Sequence, residues 1–186
     1  MLRKWISILA PRPRQVVTPE QCGLIKVSWK QAAMPQNDQE ASQIGNIIGM
    51  LFYNKLFAYK PECKLMFTNV FQQSSALAGM LGAIVNNIDK FATVEKTARV
   101  LGERHCAYGV KANMFGDMET VLLDMLEERL GNAWTLETKH AWKSAYAFVS
   151  ANMIVGLAKA QKKSRPFKLC RFIKNFGCTN HQLFKP

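Results

Sequence analysis

Apolar residues recur at helical spacing along most of this chain and nowhere alternate over the length of a strand. Ile44, Ile47, Ile48, Leu51, Phe52, Leu56 and Phe57 return every three or four positions, the period that lines side chains along one stripe of a helix. Lys60-Pro61 stops that stripe, because proline disfavours helix in the residue before it, and a short turn to Phe67 redirects the chain. Thr18-Pro19-Glu20 supplies an N-cap, a proline at the first helical position and an acidic first turn. The pattern predicts helices at about Pro19–Gln31 (with Leu24, Ile25, Val27 and Trp29 apolar), Ala41–Tyr59, Phe71–Ile88, Val94–Ala107, Lys111–Leu130 and Thr135–Ala160. Hairpin signals and internal repeats are absent. The class is all-α, with connections of two to six residues.

Composition matters here through its distribution. Of 186 residues, 48% are hydrophobic and 20% charged, which suits one folded domain with a sizeable core. The net charge of +12 lies at the ends. Residues 1–17 carry Arg3, Lys4, Arg12 and Arg14 and no acid, and residues 161–186 are basic and acid-free, whereas the body is close to neutral. The organisation expected is a basic extension (1–17), a helical domain (18–160) and a basic tail (161–186). Such ends suit an anionic membrane surface or a solvated extension, and no specific nucleic acid is expected. Phe167, Leu169, Phe172, Ile173 and Phe176 give the tail an amphipathic character. Cys22, Cys63, Cys106, Cys170 and Cys178 form an odd set without metal-type spacing, and Trp5–Ala10 is too short for a secretory core. Reduced thiols and a cytoplasmic location follow as expectations, with membrane association or a mitochondrial presequence as alternatives. No stretch has the length of a membrane span.

One residue stands out chemically. His105 lies one turn after Leu101 on an apolar face and just before Gly109, so its ring projects from the last turn of its helix. A neutral imidazole so placed can bind a metal centre, and one axial histidine is enough to hold haem iron.

Several landmarks occur in order: Leu24-Ile25-xxx-Trp29; Pro61 and Phe67; Leu81-Gly-Ala-Ile84; Leu101-Gly-xx-His105-xxx-Gly-Val110-xxxx-Phe115; Leu130-Gly131; and Ala141-Trp142-xxx-Tyr146. In that order they resemble the globin family, neuroglobin-like and invertebrate globins in particular, over about three-quarters of the chain. The resemblance implies a globin fold around a haem b pocket. It places His105 at the proximal iron ligand, Phe67 against the haem, and Leu77, Leu81, Leu101, Val110 and Phe115 along the pocket wall.

On the distal side the resemblance places Gln73, 32 residues before His105, where many globins carry histidine. The bis-histidine iron of neuroglobin-like proteins is therefore not available from this position. It also places Tyr53 over the bound ligand, with Met50 and Phe57 on the same face. A Tyr53 and Gln73 pair resembles that of high-affinity invertebrate haemoglobins and bacterial flavohaemoglobins. Both side chains donate hydrogen bonds, and the implied function is tight, reversible binding of dioxygen for storage, scavenging or sensing, with carbon monoxide and nitric oxide as further ligands. The alternatives are a nitric oxide dioxygenase served by a separate reductase, since the chain has no dinucleotide-binding glycine motif, and a membrane-associated redox or signalling globin.

Overall fold

The computed structural model describes residues 17–35, 40 and 44–164. The first helix, α1, spans Pro19–Ala32. It opens on a capping box in which Gln21 N donates to Thr18 Oγ1 (3.2 Å) and Thr18 N donates to Gln21 Oε1 (3.0 Å), satisfying two N–H groups that a helix start leaves unpaired. Its buried line is Cys22, Ile25, Ser28, Trp29 and Ala32, and Leu24 and Val27, expected on the apolar face, are exposed. Ser28 displaces them because it has work in the core. Its hydroxyl donates to Leu24 O (2.7 Å) and accepts from Trp142 Nε1 (2.9 Å), so a polar residue ties the first helix to the last. Val17, assigned to the extension by its sequence, is fully buried.

Helix α2 spans Ile44–Tyr59 and buries Ile48, Phe52, Tyr53 and Leu56. A 3-10 turn over Pro61–Met66 follows, where the proline predicted a change of direction. Helix α3, Val70–Asn86, is capped by the Asn69 side chain, which accepts from Gln72 N (3.1 Å). α2 and α3 cross in backbone contact: a Cβ on Gly49 would overlap the Ser74 backbone, 2.5 Å from its carbonyl carbon. The buried residues of α3 are Ser74, Ala78 and Val85. The bulky stripe of Leu77, Met80, Leu81 and Ile84 is half-buried, and Ile88 beyond the helix end is fully buried.

Helix α4 spans Phe91–Ala107, starting three residues before the expected Val94. Lys90 O accepts from both Thr93 N and Val94 N, and the Phe91 ring meets Phe148 edge-on at 5.8 Å, a distant contact that local periodicity does not register. Helix α5 spans Met114–Leu130, because Lys111–Asn113 form a turn instead of its first residues. Gly131 then ends it at φ +51°, a region that favours glycine. Helix α6 spans Leu136–Ser164 and continues four residues past the expected Ala160.

The helices pack as pairs, with α3 against α2 and α4 against α6, while α1 and α5 complete the core. Arg129, at the end of α5, has a side chain only 5% exposed. Its guanidinium donates to Ala32 O (3.0 Å), Met34 O (2.8 Å) and Glu40 Oε2 (3.4 Å). It thus serves carbonyls that the end of α1 leaves without helical partners.

Because the crossing of α2 and α3 admits no side chain, Gly49→Ala should lower unfolding free energy by about 1–3 kcal/mol. Gly23→Ala, at a position with nothing within 4 Å of the added carbon, should leave it unchanged or raise it slightly. Urea denaturation of both variants measures the difference.

Candidate functional site

His105 occupies the last turn of α4. Its Nδ1 lies 2.8 Å from Leu101 O, and since a carbonyl can only accept, Nδ1 is the protonated nitrogen. Nε2 is then the nitrogen with a free lone pair, and it has no partner among the described residues. Fixing one ring nitrogen to a carbonyl is how a protein orients a metal-ligating histidine and sets its tautomer. Val110 N donates to His105 O (3.2 Å), which fastens the turn after α4 to the histidine's own peptide. Among the described residues no three histidine, cysteine or acidic side chains gather, so His105 stands as a single donor.

The second feature is Tyr53. It is 6% exposed and boxed by aromatic rings, with Phe67 edge-on at 4.9 Å, Phe52 edge-on at 5.5 Å and Phe57 at 5.9 Å. Its hydroxyl has no hydrogen-bond partner among the described residues. Of the side-chain polar atoms sealed from solvent there, Trp134 Nε1 is the one without a partner, so the Tyr53 oxygen is not sealed. It opens onto accessible space. Burial pushes its pKa upward, which keeps the phenol protonated and therefore a donor.

Gln73 lies in the first turn of α3, its N–H on Asn69 O (3.1 Å), beside the crossing residue Ser74. Unlike Tyr53 it is exposed. Leu77 and Leu81, one and two turns on, are half-buried, as are Phe67, Leu101 and Val110, whereas Phe115 is buried at 8% exposure. The residues singled out from the sequence thus form two groups, one on α2, the 3-10 turn and α3, the other on α4 and the start of α5. Sequence reasoning missed the supports. Gly49 and Ser74 set the approach of α2 to α3, Lys60 Nζ meets Asp117 Oδ2 at 3.5 Å, and Tyr146 Oη donates to Phe115 O at 2.6 Å. Paired partners so far apart in sequence leave no local signal.

A haem requires a free imidazole lone pair and an apolar slot wide enough for a flat ring. The first is supplied by His105. The second is consistent with the uncovered bulk of α3, because consecutive helices α3 and α4 each pack on a different neighbour. The chemistry of these residues, a free imidazole nitrogen and half-buried apolar side chains, fits such a group.

The globin family profile matches residues 50–153. The chain is 30% identical to neuroglobin of Dissostichus mawsoni over 126 residues, 60% of this chain and 79% of the relative. It is 29% identical to the flavohemoprotein of Bacillus subtilis over 121 residues, 63% of this chain but 30% of that protein. Its fold is similar to that of an engineered carbene transferase derived from Rhodothermus marinus (TM-score 0.68, 22% identity, 80% of this chain and 98% of that one). It is also similar to a hexacoordinated heme protein from an anhydrobiotic tardigrade (TM-score 0.66, 18% identity, 79% and 99%). The chain belongs to the globin family. It is a haem-binding globin, of a family that takes gaseous ligands such as dioxygen. No helix among the described residues is long and apolar enough to cross a membrane.

Two phenols, the buried Tyr53 and the half-buried Tyr146, make the fold sensitive to alkali. Burial raises both, and for Tyr146 the Glu119 carboxylate adds to the effect. A raised folded-state pKa stabilises fully below the unfolded value of about 10 and is lost as pH rises above it. Tyr146→Phe should therefore reduce the loss of stability above pH 10 by up to about 1.4 kcal/mol per pH unit, which urea titrations from pH 8 to 11 would reveal.

Proposed function

We propose that this globin binds dioxygen reversibly and with high affinity through haem b, with His105 as axial ligand and with Tyr53 and Gln73 donating hydrogen bonds to the bound gas. The observation that carries this reading is the Tyr53 hydroxyl, a buried, protonated donor with no acceptor among the described residues. The haem supplies the iron at which the gas binds. The chain's part is to hold His105 by its Nδ1, to keep water away with Phe67, Leu77, Leu81, Leu101, Val110 and Phe115, and to aim donors at the ligand. The gas taken up there would carry partial negative charge, and a hydrogen bond from Tyr53 to a charged acceptor would be worth about 1.5–3 kcal/mol. At about 1.4 kcal/mol per tenfold, Tyr53 alone slows dioxygen loss by roughly ten- to a hundredfold. Carbon monoxide, less polar when bound, gains less. Gln73, exposed at the start of α3, is the weaker partner of the two and acts from the solvent end.

The flavohemoprotein relatives favour a second reading, nitric oxide dioxygenase activity. Their match to this chain spans 30% of the Bacillus subtilis protein, and turnover would require an electron donor that returns the iron to the ferrous state. Stoichiometric reaction with nitric oxide that halts at ferric haem, with no turnover when a reductant is supplied, would exclude this activity. The cytoplasmic location and the role of the basic ends in meeting an anionic membrane are also proposals, and residues 1–16 and 165–186 lie outside the described residues.

Tyr53→Phe should speed dioxygen dissociation at least tenfold while changing carbon monoxide dissociation less than about threefold. Stopped-flow displacement measures both. An unchanged dioxygen off-rate would overturn the role of Tyr53.

A further inference from the structure

Helices α4 and α6 meet backbone to backbone. A Cβ on Gly102 would overlap the Met153 carbonyl oxygen and lie 2.7 Å from its carbon; a Cβ on Gly156 would overlap the Arg99 carbonyl oxygen and lie 2.8 Å from its carbon. Each helix gives up a side chain where the other presents a carbonyl, and both glycines are buried. Alanine would require one backbone to move, since carbonyl atoms cannot rotate aside as a flexible side chain can. Side chains continue the contact on either side. Phe91 meets Phe148 at 5.8 Å, Arg99 Nε donates to Asn152 Oδ1 at 3.3 Å, and Lys159 Nζ pairs with Glu103 Oε1 at 2.6 Å. Residues ascending along α4 thus meet residues ascending along α6, and the two helices run in the same direction.

The crossing lies beside the histidine. Gly102 comes three residues before His105, in the same turn. The carbonyl that receives His105 Nδ1 is that of Leu101, and it belongs to the peptide whose nitrogen is that of Gly102. The peptide that orients the imidazole is therefore wedged against α6.

We infer that the Gly102–Met153 and Gly156–Arg99 contacts are a positioning device that sets where His105 presents Nε2, by docking the Leu101–Gly102 peptide on α6. Gly102 and Gly156 are positioning residues and touch no ligand. The inference rests on haem ligation by His105, and it makes the register of α4 a property of α6, independent of haem. Alanine at either glycine should displace the histidine-bearing turn.

The test is resonance Raman of the full-length ferrous protein without gas, read at the iron–histidine stretch. Gly102→Ala and Gly156→Ala should each move that band, and haem transfer to an acceptor globin should accelerate roughly tenfold or more. Gly23→Ala should change neither. In a His105→Gly background with added imidazole, the metal ligand is no longer joined to α4, so adding Gly102→Ala should leave the iron–imidazole band in place. A band that moves there too would mean that the glycine shapes the pocket without acting through the histidine, which overturns the inference. So would an unmoved band in the His105 protein. A wild-type protein with no iron–histidine band would overturn the ligation itself. Should the glycine variants fail to fold, hydrogen exchange of haem-free wild type decides. Amides of α4 should be protected to an extent comparable with those of α6, and free exchange across α4 beside a protected α6 would count against the device.

Discussion

Two consecutive helices, Val70–Asn86 and Phe91–Ala107, take different packing partners, and the site depends on that separation. The first lies on α2 and the second on α6, so the bulky residues of α3 are left half-covered although they are the most apolar on that helix. A helix normally turns its largest apolar side chains toward the core. Here Ser74, Ala78 and Val85 are the buried residues, and Ser74 meets Gly49 through its backbone. The small face allows close approach of backbones, and the large face stays half-buried.

Both walls are held by the same physical means. Gly49 lets α2 meet α3, while Gly102 and Gly156 let α4 meet α6. Backbones that touch directly have no side-chain rotamers to adjust between them, and packed interiors transmit displacement instead of absorbing it. The donors on either wall inherit that rigidity. Tyr53 lies one turn beyond Gly49, and His105 lies one turn beyond Leu101, whose peptide is part of the α6 contact. Gln73 adjoins the same α2 crossing but ends in solvent, which explains why two donors paired by the family resemblance differ so much in burial.

The body is pinned around this frame by polar contacts between distant segments. Arg129 holds the end of α1, Ser28 receives the Trp142 indole, and Tyr146 holds the start of α5 through Phe115 O. Buried groups of this kind are stabilising when every partner is present and costly when one is removed, so the frame around the pocket is stiff for the same reason that it is specific.

Helical class, the number of long helices, the break at Pro61 and the histidine at the end of the fourth helix were legible from the sequence, because each is set by local rules: a 3.6-residue period, a ring that forbids helix before it, a glycine after the last turn. Membership of the globin family was legible from the order of landmarks. The inward face of α3, the outward positions of Leu24 and Val27, the early start of α4 at Phe91 and the continuation of α6 to Ser164 were not. Those depend on Gly49 against Ser74, on Ser28 beneath Trp142, on Phe91 against Phe148 and on Lys159 against Glu103, contacts between residues 25 or more positions apart. Local periodicity identifies which residues are apolar; only the approach of two backbones decides which of them the core receives.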